Sequence, residues 1–536
     1  MQTQTVLTQA HTGHPRRWAI LGVLVVSLLV VVLDNTVLNV AMRTIADPRH
    51  GLGATQAELE WAINSYTLVF AGLLFTAGVL GDRIGRRLAL VVGLTLFGLA
   101  SLASAYAHTP DQLIWARALM GVGAAAVMPS TLSIISNVFD PRERAKAIGV
   151  WAASVGLGVA IGPVVGGALL ESFWWGSVFL INVPIIVIGV IAVILIVPES
   201  RNPHPGRLDL GGVGLSILGL VALVYGIIDG GEHGFSRPQS FSAILIGLFV
   251  LTAFIWYEAR SDHPSLDVRL FRDARFSAAV ASVGLVFFAA MGTLFFLAFY
   301  LQLVRGYSPL QAGLLMTGFA AAQMIFAPRS AAMVKRYGPR AVCATGLALV
   351  AISMAGFIWI DADTPIWILV ALTVIQGAGM ANVMPPVTES IMAALPRERA
   401  GVGSAIQNTV RQVGGALGVA VLGSILSAVY RSEIGTSVAA LPAPARGPAS
   451  ESISGAYGVA GQLGPAAGNL VSAANEAFVS AMHWAAGGSA VVAAASVGVA
   501  LAWLPRRVAA PAPAIAPGSA EPQRSSAVVS PLAERS

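Results

Sequence analysis

The stretch GVGAAAVMP at residues 121–129 recurs, with changes, as GAGMANVMP at residues 377–385. The two segments share the pattern G-x-G-x-A-x-V-M-P and lie 256 positions apart. The pentapeptide PRERA occurs at residues 141–145 and again at 396–400, at nearly the same offset of 255 positions. Offsets that agree this closely indicate that the chain contains two copies of one structural unit.

A spaced pair of glycines extends the repeat. The spacing Gly158-x-x-x-Gly162 recurs as Gly414-x-x-x-Gly418, again 256 positions later. We therefore expect two six-helix halves, helices 1–6 and 9–14, with helices 7 and 8 inserted between them. Parallel repeats of this kind are typical of transporters, in which the substrate site lies near the bilayer midplane between the two halves.

The composition places these halves in a membrane. Of the 536 residues, 56% are hydrophobic and 11% are charged, whereas soluble globular chains carry roughly 25% charged residues. A bilayer-spanning helix needs about 20 mostly apolar residues, and the segments that meet this length predict an all-α integral membrane protein with fourteen transmembrane helices. The predicted spans are residues 18–42, 60–80, 88–107, 111–133, 146–170, 177–197, 210–229, 240–258, 276–302, 310–330, 341–360, 366–392, 402–428 and 478–504.

The arginine distribution predicts the topology. With the N-terminus in the cytoplasm, 23 of the 32 basic residues fall in cytoplasmic segments, 6 fall outside and 3 lie within spans, so both termini are expected in the cytoplasm. The net charge of +6 would suit nucleic acid, but the basic residues are dispersed among apolar spans, so we expect a lipid bilayer and no nucleic-acid partner. Lys146 and Lys335 are the only lysines. Such an arginine bias is typical of GC-rich bacterial genomes and favours a bacterial plasma membrane.

The predicted domains follow from the spans. The long external loop lies within the second bundle, and the last segment is rich in Ala, Pro and Ser and is expected to be disordered. The segments are a cytoplasmic N-terminus (1–17), an N-terminal six-helix bundle (18–197), the inserted helices with cytoplasmic loops (198–275), a C-terminal six-helix bundle (276–504, with the external loop at 430–475) and a cytoplasmic tail (505–536).

Charged residues that occur in only one half are functional candidates, because they are not needed to build a half. Asp34 aligns with Gly292, and Arg117 aligns with Thr373. A charge in mid-membrane costs roughly 2.5–3.5 kcal/mol on insertion scales and is a functional candidate by default, so we expect Asp34 to carry a coupling proton. Arg117 cannot lose its charge and is its expected partner. The structural alternatives are a neutral Asp34 that caps polar neighbours and a static buried ion pair.

Helix 5 is predicted to be a central rocking element. It contains GVAIGPVVGG at residues 158–167, in which glycines recur every four residues and share a face that admits a close neighbour. The internal proline removes a backbone hydrogen bond and bends the helix. The alternative is that these glycines serve only the close packing of helices. The residues singled out are Gly158, Gly162, Pro163, Gly166 and Gly167.

A cytoplasmic gate is predicted where short loops of the two halves meet. GVLGDRIGRR at residues 78–87 forms a tight turn in which Asp82 is suited to meet a helix N-terminus. We expect 396–400 to lie near Asp82 and 141–145 to lie near Lys335, as two unequal latches. The alternative is that the charged residues of this loop only set the membrane topology. The gate residues are Gly78, Gly81, Asp82, Arg83, Gly85, Arg86, Arg87, Arg397 and Arg399.

Other polar side chains within spans are candidates for lining a pathway, namely Asn64, Tyr66, Gln323, Gln376, Asn382, Gln407, Asn408 and Arg411. Cys343 is the only cysteine, which excludes an internal disulfide and a cysteine-rich metal site. The sequence contains no DDxxD, HExxH or P-loop motif. A membrane enzyme is therefore a remote alternative, and we expect no metal and no cofactor apart from protons as coupling ions.

Together these motifs resemble the major facilitator superfamily, in particular its fourteen-helix drug:proton antiporter branch. LDNTVLNVA at 33–41 resembles the helix 1 signature of that branch, and the motifs at 78–87 and 158–167 resemble its loop 2–3 and helix 5 patterns. FWWGSVFLINVP at 173–184 departs from the family pattern, since it lacks the basic residue usual between its tryptophans. The resemblance implies proton-driven export of toxic amphipathic compounds by alternating access, with multidrug efflux and antibiotic resistance as the outcome. We expect a monomer. A dedicated exporter of one antibiotic or metabolite is the alternative.

Overall fold

The computed structural model describes residues 14–201, 209–261, 264, 266–393, 400–464 and 469–506. Within those ranges the chain is helical and contains no strand. The first half consists of α1 (Arg17–Ala46), α2 (Gln56–Ile84), α3 (Arg86–Ala105), α4 (Pro110–Val138), α5 (Pro141–Ser172), the short α6 (Ser177–Leu180) and α7 (Asn182–Ile196).

The inserted pair and the second half follow in the same order as the sequence predicts. The pair is α8 (Leu210–His233) and α9 (Pro238–Arg260). The second half consists of α10 (Ala274–Phe299, extended by a π-helical turn to Val304), α11 (Pro309–Tyr337), α12 (Pro339–Gly356, extended by a 3₁₀ turn to Trp359), α13 (Ile366–Ala393), α14 (Ala400–Ala439), α15 (Ala443–Glu451), α16 (Ile453–Leu463) and α17 (Leu470–Trp503).

The number of membrane spans agrees with the prediction. Among the described residues, 13 helices are long and apolar enough to cross a bilayer, and α6 and α7 together form one of them. α2 bends by 56° between Leu74 and Thr76, and counting its two segments as one span gives 14. The chain is therefore a multi-pass membrane protein, and the expected all-α fold is confirmed.

The two halves share local structure as well as sequence. α2 begins with a capping box, in which the Glu58 backbone N–H donates to Thr55 Oγ1 at 3.2 Å and the Thr55 N–H donates to the Glu58 carboxylate at 2.7 Å. α11 begins in the same way, with Ser308 and Gln311 at 3.3 and 3.0 Å. Each box satisfies backbone donors that would otherwise lack partners at a helix N-terminus. Equivalent helices therefore begin by the same mechanism.

The quoted repeat marks a second equivalence, in helix packing. A Cβ atom added to Gly93 in α3 would lie 2.9 Å from the carbonyl oxygen of Gly123 in α4. A Cβ atom added to Gly346 in α12 would lie 2.6 Å from the carbonyl oxygen of Gly379 in α13. Only glycine allows backbones to approach this closely. Gly123 and Gly379 are the second glycines of the repeated motif, so the repeat fixes the same helix contact in both halves.

Much of the segment 430–475, the expected external loop, is helical. α14 continues through it to Ala439, and α15 and α16 occupy much of the remainder. Its alanines favour helix, and the Ser452 side chain caps α16 by accepting from the Gly455 N–H at 3.1 Å. Ile453 and Ala456 are buried. Burial of these apolar residues stabilises a packed, helical structure in this segment.

The halves meet at one end of the bundle. We call the end at which α1 begins the N-terminal face, and the other end the far face. Near the far face, a Cβ atom added to Gly167 in α5 would lie 2.6 Å from the Pro309 carbonyl oxygen of α11. Gln302 Nε2 also donates to the Val40 carbonyl of α1 at 2.9 Å. Near the N-terminal face, a Cβ atom at Gly149 in α5 would meet no atom of the described residues within 4 Å. The two halves are therefore closed together at the far face.

Candidate functional site

Asp34 and Arg117 meet in the interior of the first half. Asp34 lies in α1 and is 2% exposed, and Arg117 lies in α4 and is 0% exposed. Arg117 Nη1 donates to Asp34 Oδ2 and forms an ion pair with it. Each charge offsets the desolvation of the other, which neither could tolerate alone. The partnership expected from the sequence is present in the structure.

Two residues that the sequence analysis did not single out complete this arrangement. Asn182 Nδ2, at the start of α7, donates to Asp34 Oδ1 at 3.1 Å and to Ser101 Oγ at 3.1 Å. Ser101, in α3, donates onward to the Phe179 carbonyl at 2.8 Å. Both carboxylate oxygens of Asp34 therefore accept a hydrogen bond. We call Asp34, Ser101, Arg117 and Asn182 the polar cluster.

α2 holds the Arg117 guanidinium in place. Its Nε donates to the Ala62 carbonyl at 3.1 Å, and its central carbon lies 4.5 Å from the centroid of the Tyr66 ring. Tyr66 is fully buried. Stacking of a guanidinium on an aromatic ring is favourable and directional. Arg117 is therefore oriented from α2 while its charge is balanced from α1.

The glycines of helix 5 bring α5 against α1, the helix that carries Asp34. A Cβ atom added to Gly158 would lie 2.8 Å from Val32 Cγ1, and one added to Gly166 would lie 2.8 Å from Val37 Cγ1. Gly162 lies against Thr36. The shared face expected from the sequence thus receives α1. Gly167 is different, because it contacts the other half at the far face.

Pro163 also contacts the other half. A Cβ atom added to Gly313 in α11 would lie 2.7 Å from the carbonyl carbon of Pro163. Residues 163–167 of α5 therefore touch both α1 and α11. A shift of α1 could be transmitted to the second half through this segment.

At the N-terminal face, Asp82 forms an ion pair within its own loop, and its expected contact with a helix N-terminus stays a prediction. Asp82 Oδ1 accepts from Arg86 Nε at 2.8 Å within its own loop. The carboxylate at a helix N-terminus is Glu199, which accepts from the backbone N–H groups of Arg87 and Leu88 at 3.1 and 3.3 Å. Negative charge at the start of α3 is favourable. Glu199 was not predicted, because it lies 112 residues from Arg87 along the chain.

Glycines shape the same turn. Gly85 has φ +118, a conformation that favours glycine, and a Cβ atom there would lie 2.6 Å from Glu199 Oε1. Gly78 packs against Pro129, and Gly81 against Ala89. The turn is therefore a closely packed element of the first half.

The predicted latches are not formed by the described residues. Glu143 of the first PRERA copy pairs with Arg17 of its own half at 2.6 Å. Lys335 is exposed. Arg397 and Arg399 lie outside the described residues. Because this structure is closed at the far face, the arrangement of the gate when the N-terminal face closes stays a prediction.

Most candidate pathway residues are buried. Asn64 and Gln376 are 0% and 1% exposed, and within the described part of the chain neither Asn64 amide atom nor Gln376 Nε2 has a hydrogen-bond partner. Buried amides left in this way are costly unless water or another molecule satisfies them. The other candidates are Tyr66, Asn382 and Gln407, which are buried, and Gln323, Asn408 and Arg411, which are half-buried.

Two similar helical halves with a buried charge pair in one of them define a membrane transporter of the helical-bundle class. The chain belongs to the Major Facilitator Superfamily, whose family model matches residues 24–419. The expected family is thereby confirmed.

Several relatives of this chain are efflux and resistance proteins. The multidrug efflux pump LfrA of Mycolicibacterium smegmatis is 36% identical over 92% of this chain and 98% of its own length. The methyl viologen resistance protein SmvA of Salmonella typhimurium is 36% identical, over 87% and 93%. The tetracenomycin C resistance and export protein of Streptomyces glaucescens is 33% identical, over 91% and 92%.

Solved structures support the same fold. A bacterial homolog of the human lysosomal transporter Spinster, in an inward-facing and unoccupied conformation, has a TM-score of 0.64 at 19% identity, over 94% of this chain and 100% of that one. A peptide transporter of the POT type has a TM-score of 0.59 at 17% identity, over 85% and 96%. At these identities the similarity supports the fold and nothing finer.

Proposed function

We propose that this protein exports toxic amphipathic compounds in exchange for protons, by alternating access across the bacterial plasma membrane. The observation that carries the proposal is the buried ion pair between Asp34 and Arg117. The multidrug and antibiotic efflux pumps among its relatives support the substrate class. A monomer suffices, because one chain supplies both the polar cluster and the contact between the halves.

The proposal assigns the N-terminal face to the cytoplasm. The excess of arginine in the segments at that face supports this orientation. The far face then lies outside, and the structure corresponds to a carrier that is closed to the exterior. In that state, substrate enters from the cytoplasm or the inner leaflet.

Asp34 is the proposed proton site because it is a titratable carboxyl that faces a permanent cation. When a proton binds, the carboxyl becomes neutral, and Arg117 keeps its charge without a counter-charge. The hydrogen bond from Arg117 weakens, while Asn182 can still pair with the neutral acid. The helices that contribute to the polar cluster therefore favour a different arrangement after protonation.

The free energy associated with the Asp34–Arg117 ion pair is large enough to couple proton binding to a conformational change. Removing one partner of a buried ion pair costs about 3–5 kcal/mol. Moving a two-state equilibrium from 1:99 to 99:1 requires about 5.5 kcal/mol. One proton on Asp34 can thus supply much of the bias between the two conformations. Because substrate acts on the same equilibrium, each ligand alters the affinity of the carrier for the other.

The test is proton movement in proteoliposomes that contain the full chain. We expect ethidium addition to trigger proton movement, and an imposed pH gradient to drive ethidium transport. Asp34→Asn removes the titratable group but preserves its shape, so it should abolish gradient-driven transport. Glu171→Gln, at an exposed carboxyl near the far end of α5, serves as the matched control. Gradient-driven transport by Asp34→Asn at the level of the control would refute the proposal.

The breadth of substrate separates the two forms of this function. A panel of chemically unrelated amphiphiles, each tested for substrate-dependent proton movement, distinguishes a multidrug pump from a dedicated exporter. Response to several unrelated compounds supports a multidrug pump. Response to a single compound supports the alternative.

A further inference from the structure

The inserted pair, α8 and α9, lies where the two halves of the bundle meet. Leu68 of α2, Val224 of α8 and Ala420 of α14 belong to one small apolar cluster, so α8 packs on both halves at once. α9 packs against α8, and its Phe249 and Trp256 are 73% and 62% exposed. Large apolar side chains exposed in this way mark a surface that contacts lipid. The pair therefore covers the seam between α2 and α14 on its lipid side.

α8 is hydrogen-bonded to the second half. Ser424 Oγ of α14 donates to the Ile227 carbonyl at 2.9 Å, and the Arg431 side chain of α14 donates to the Gly231 carbonyl. A Cβ atom added to Gly231 would lie 2.6 Å from Ser424 Cα, so the two helices are in close backbone contact. Directional bonds and close backbone contact fix the position of one helix along another. α8 is therefore attached to α14.

The contact of α8 with the first half is of a different kind. A Cβ atom added to Gly72 of α2 would lie 3.7 Å from Ile217 Cβ of α8. The rings of Trp61 in α2 and Tyr225 in α8 have centroids 6.5 Å apart and are inclined at 40°. Apolar burial is non-directional. These side chains can therefore exchange neighbours when α2 shifts along α8, provided that the surface stays covered.

We infer that the inserted pair is a wall carried by the second half, along which α2 of the first half slides when the carrier changes conformation. This inference rests on the proposed function, since alternating access requires the halves to move relative to each other. The pair keeps its hydrogen bonds to α14 while its apolar contacts with α2 exchange. The seam between α2 and α14 thus stays closed to lipid in both conformations. An insertion that links the halves in sequence belongs mechanically to one of them.

Cross-linking tests whether α2 moves along α8. Gly72→Cys with Ile217→Cys should form a disulfide, because the Cβ separation of 3.7 Å lies within the usual range of about 3.5–4.5 Å. Gly98→Cys with Ile186→Cys is the matched control, since the corresponding separation is 3.6 Å and the bond joins α3 to α7 within the first half. Both pairs are placed in a Cys343→Ala chain, which leaves two thiols. The measurement is ethidium transport driven by a pH gradient in proteoliposomes, before and after oxidation.

We expect oxidation to abolish transport by the α2–α8 pair, a reductant to restore it, and the control pair to transport ethidium throughout. Undiminished transport by the oxidised α2–α8 pair would overturn the inference, because α8 would then move with the first half. Equal loss in the oxidised control would also count against it, since the loss would not depend on motion between α2 and α8. If the unmodified chain does not transport ethidium, the proposed function itself fails.

A second pair of cross-links addresses both sides of α8 without a disulfide. Ile227→Cys with Ser424→Cys, joined by a short bifunctional thiol reagent, ties α8 to α14 and should keep transport. Trp61→Cys with Tyr225→Cys, joined in the same way, ties α8 to α2 and should lose it, and this pair replaces the disulfide if the Gly72 variant does not fold. Loss of transport on tying α8 to α14 would contradict a wall carried by the second half.

Discussion

The two halves of this protein differ most at the point where their helices would otherwise be equivalent. In the first half, α1 presents Asp34 to Arg117 of α4. In the second half, α10 has Gly292, where an added Cβ atom would lie 3.0 Å from Leu422 Cβ. Thr373 takes the place of Arg117 and donates to the Val370 carbonyl of its own helix at 2.9 Å. The second half thus forms the same bundle without a charge pair, so the pair in the first half is not a requirement of the fold.

The largest effect is expected when one charge of the buried pair is removed. Arg117→Leu leaves Asp34 buried without a counter-charge and should lower the free energy of unfolding by about 3–5 kcal/mol. Replacing both residues, as Asp34→Leu with Arg117→Leu, should restore most of this stability but no proton-driven efflux. Thr373→Val in the second half is the control. Denaturant unfolding in detergent measures the stabilities, and equal destabilisation by the single and double variants would contradict the reasoning.

A smaller effect is expected from Asn182. Asn182→Ala removes one hydrogen bond to a charged carboxylate, so it should cost about 1.5–3 kcal/mol and alter the pH dependence of efflux. Ser353→Ala is the matched change in the second half, because Ser353 is buried and donates to the Leu372 carbonyl at 2.7 Å. That variant should lose stability without a change in pH dependence. An unchanged pH profile for Asn182→Ala would show that Asn182 has only a structural role.

The glycine contacts should behave alike in the two halves. Gly123→Ala and Gly379→Ala each place a Cβ atom 2.7 Å from a facing carbonyl oxygen. Overpacking of this kind typically costs about 1–3 kcal/mol. We expect similar losses in thermal stability from the two variants. A large difference between them would mean that the repeat in sequence does not correspond to equivalent packing.

The smallest effect is expected at the exposed ion pair of the N-terminal face. Glu143 pairs with Arg17 at 2.6 Å, but both side chains are partly solvated, at 36% and 28% exposure. Exposed pairs contribute little because water screens them. Glu143→Gln should therefore leave the unfolding temperature unchanged, in contrast to Arg117→Leu. A loss comparable to that of the buried pair would show that this face contributes more to stability than its exposure indicates.

Much of the fold could be predicted from the sequence, because hydropathy and repeat offsets report directly on spans and symmetry. Asp34 and Arg117 were evident for a similar reason, since charges inside apolar runs are rare. Asn182 and Ser101 could not be found in this way, because small polar residues within spans commonly satisfy themselves on their own helix. Their role depends on the crossing of α1, α3 and α7, which spacing along the chain does not encode.

The face at which the halves close was also beyond the sequence. An alternating-access carrier must adopt both closures with one sequence, so no pattern can favour one of them strongly. The short helices within the external loop at 430–475 were beyond the sequence for a different reason. Its glycines, prolines and serines do not favour helix, whereas burial of a few apolar side chains stabilises α15 and α16.

The position of α16 determines where the molecule would separate if the far face opened. Tyr457 in α16 donates from its hydroxyl to the Leu303 carbonyl at 2.8 Å and to Asn475 at 3.0 Å, both in the second half. Toward the first half, Gly458 of α16 lies against Pro48, and Gly461 lies against Arg49. The hydrogen bonds of Tyr457 thus join α16 to the second half, whereas these glycine contacts with the first half include no hydrogen bond. The helix should therefore travel with the second half, and the seam beside Pro48 and Arg49 is the line along which an exit for substrate would appear.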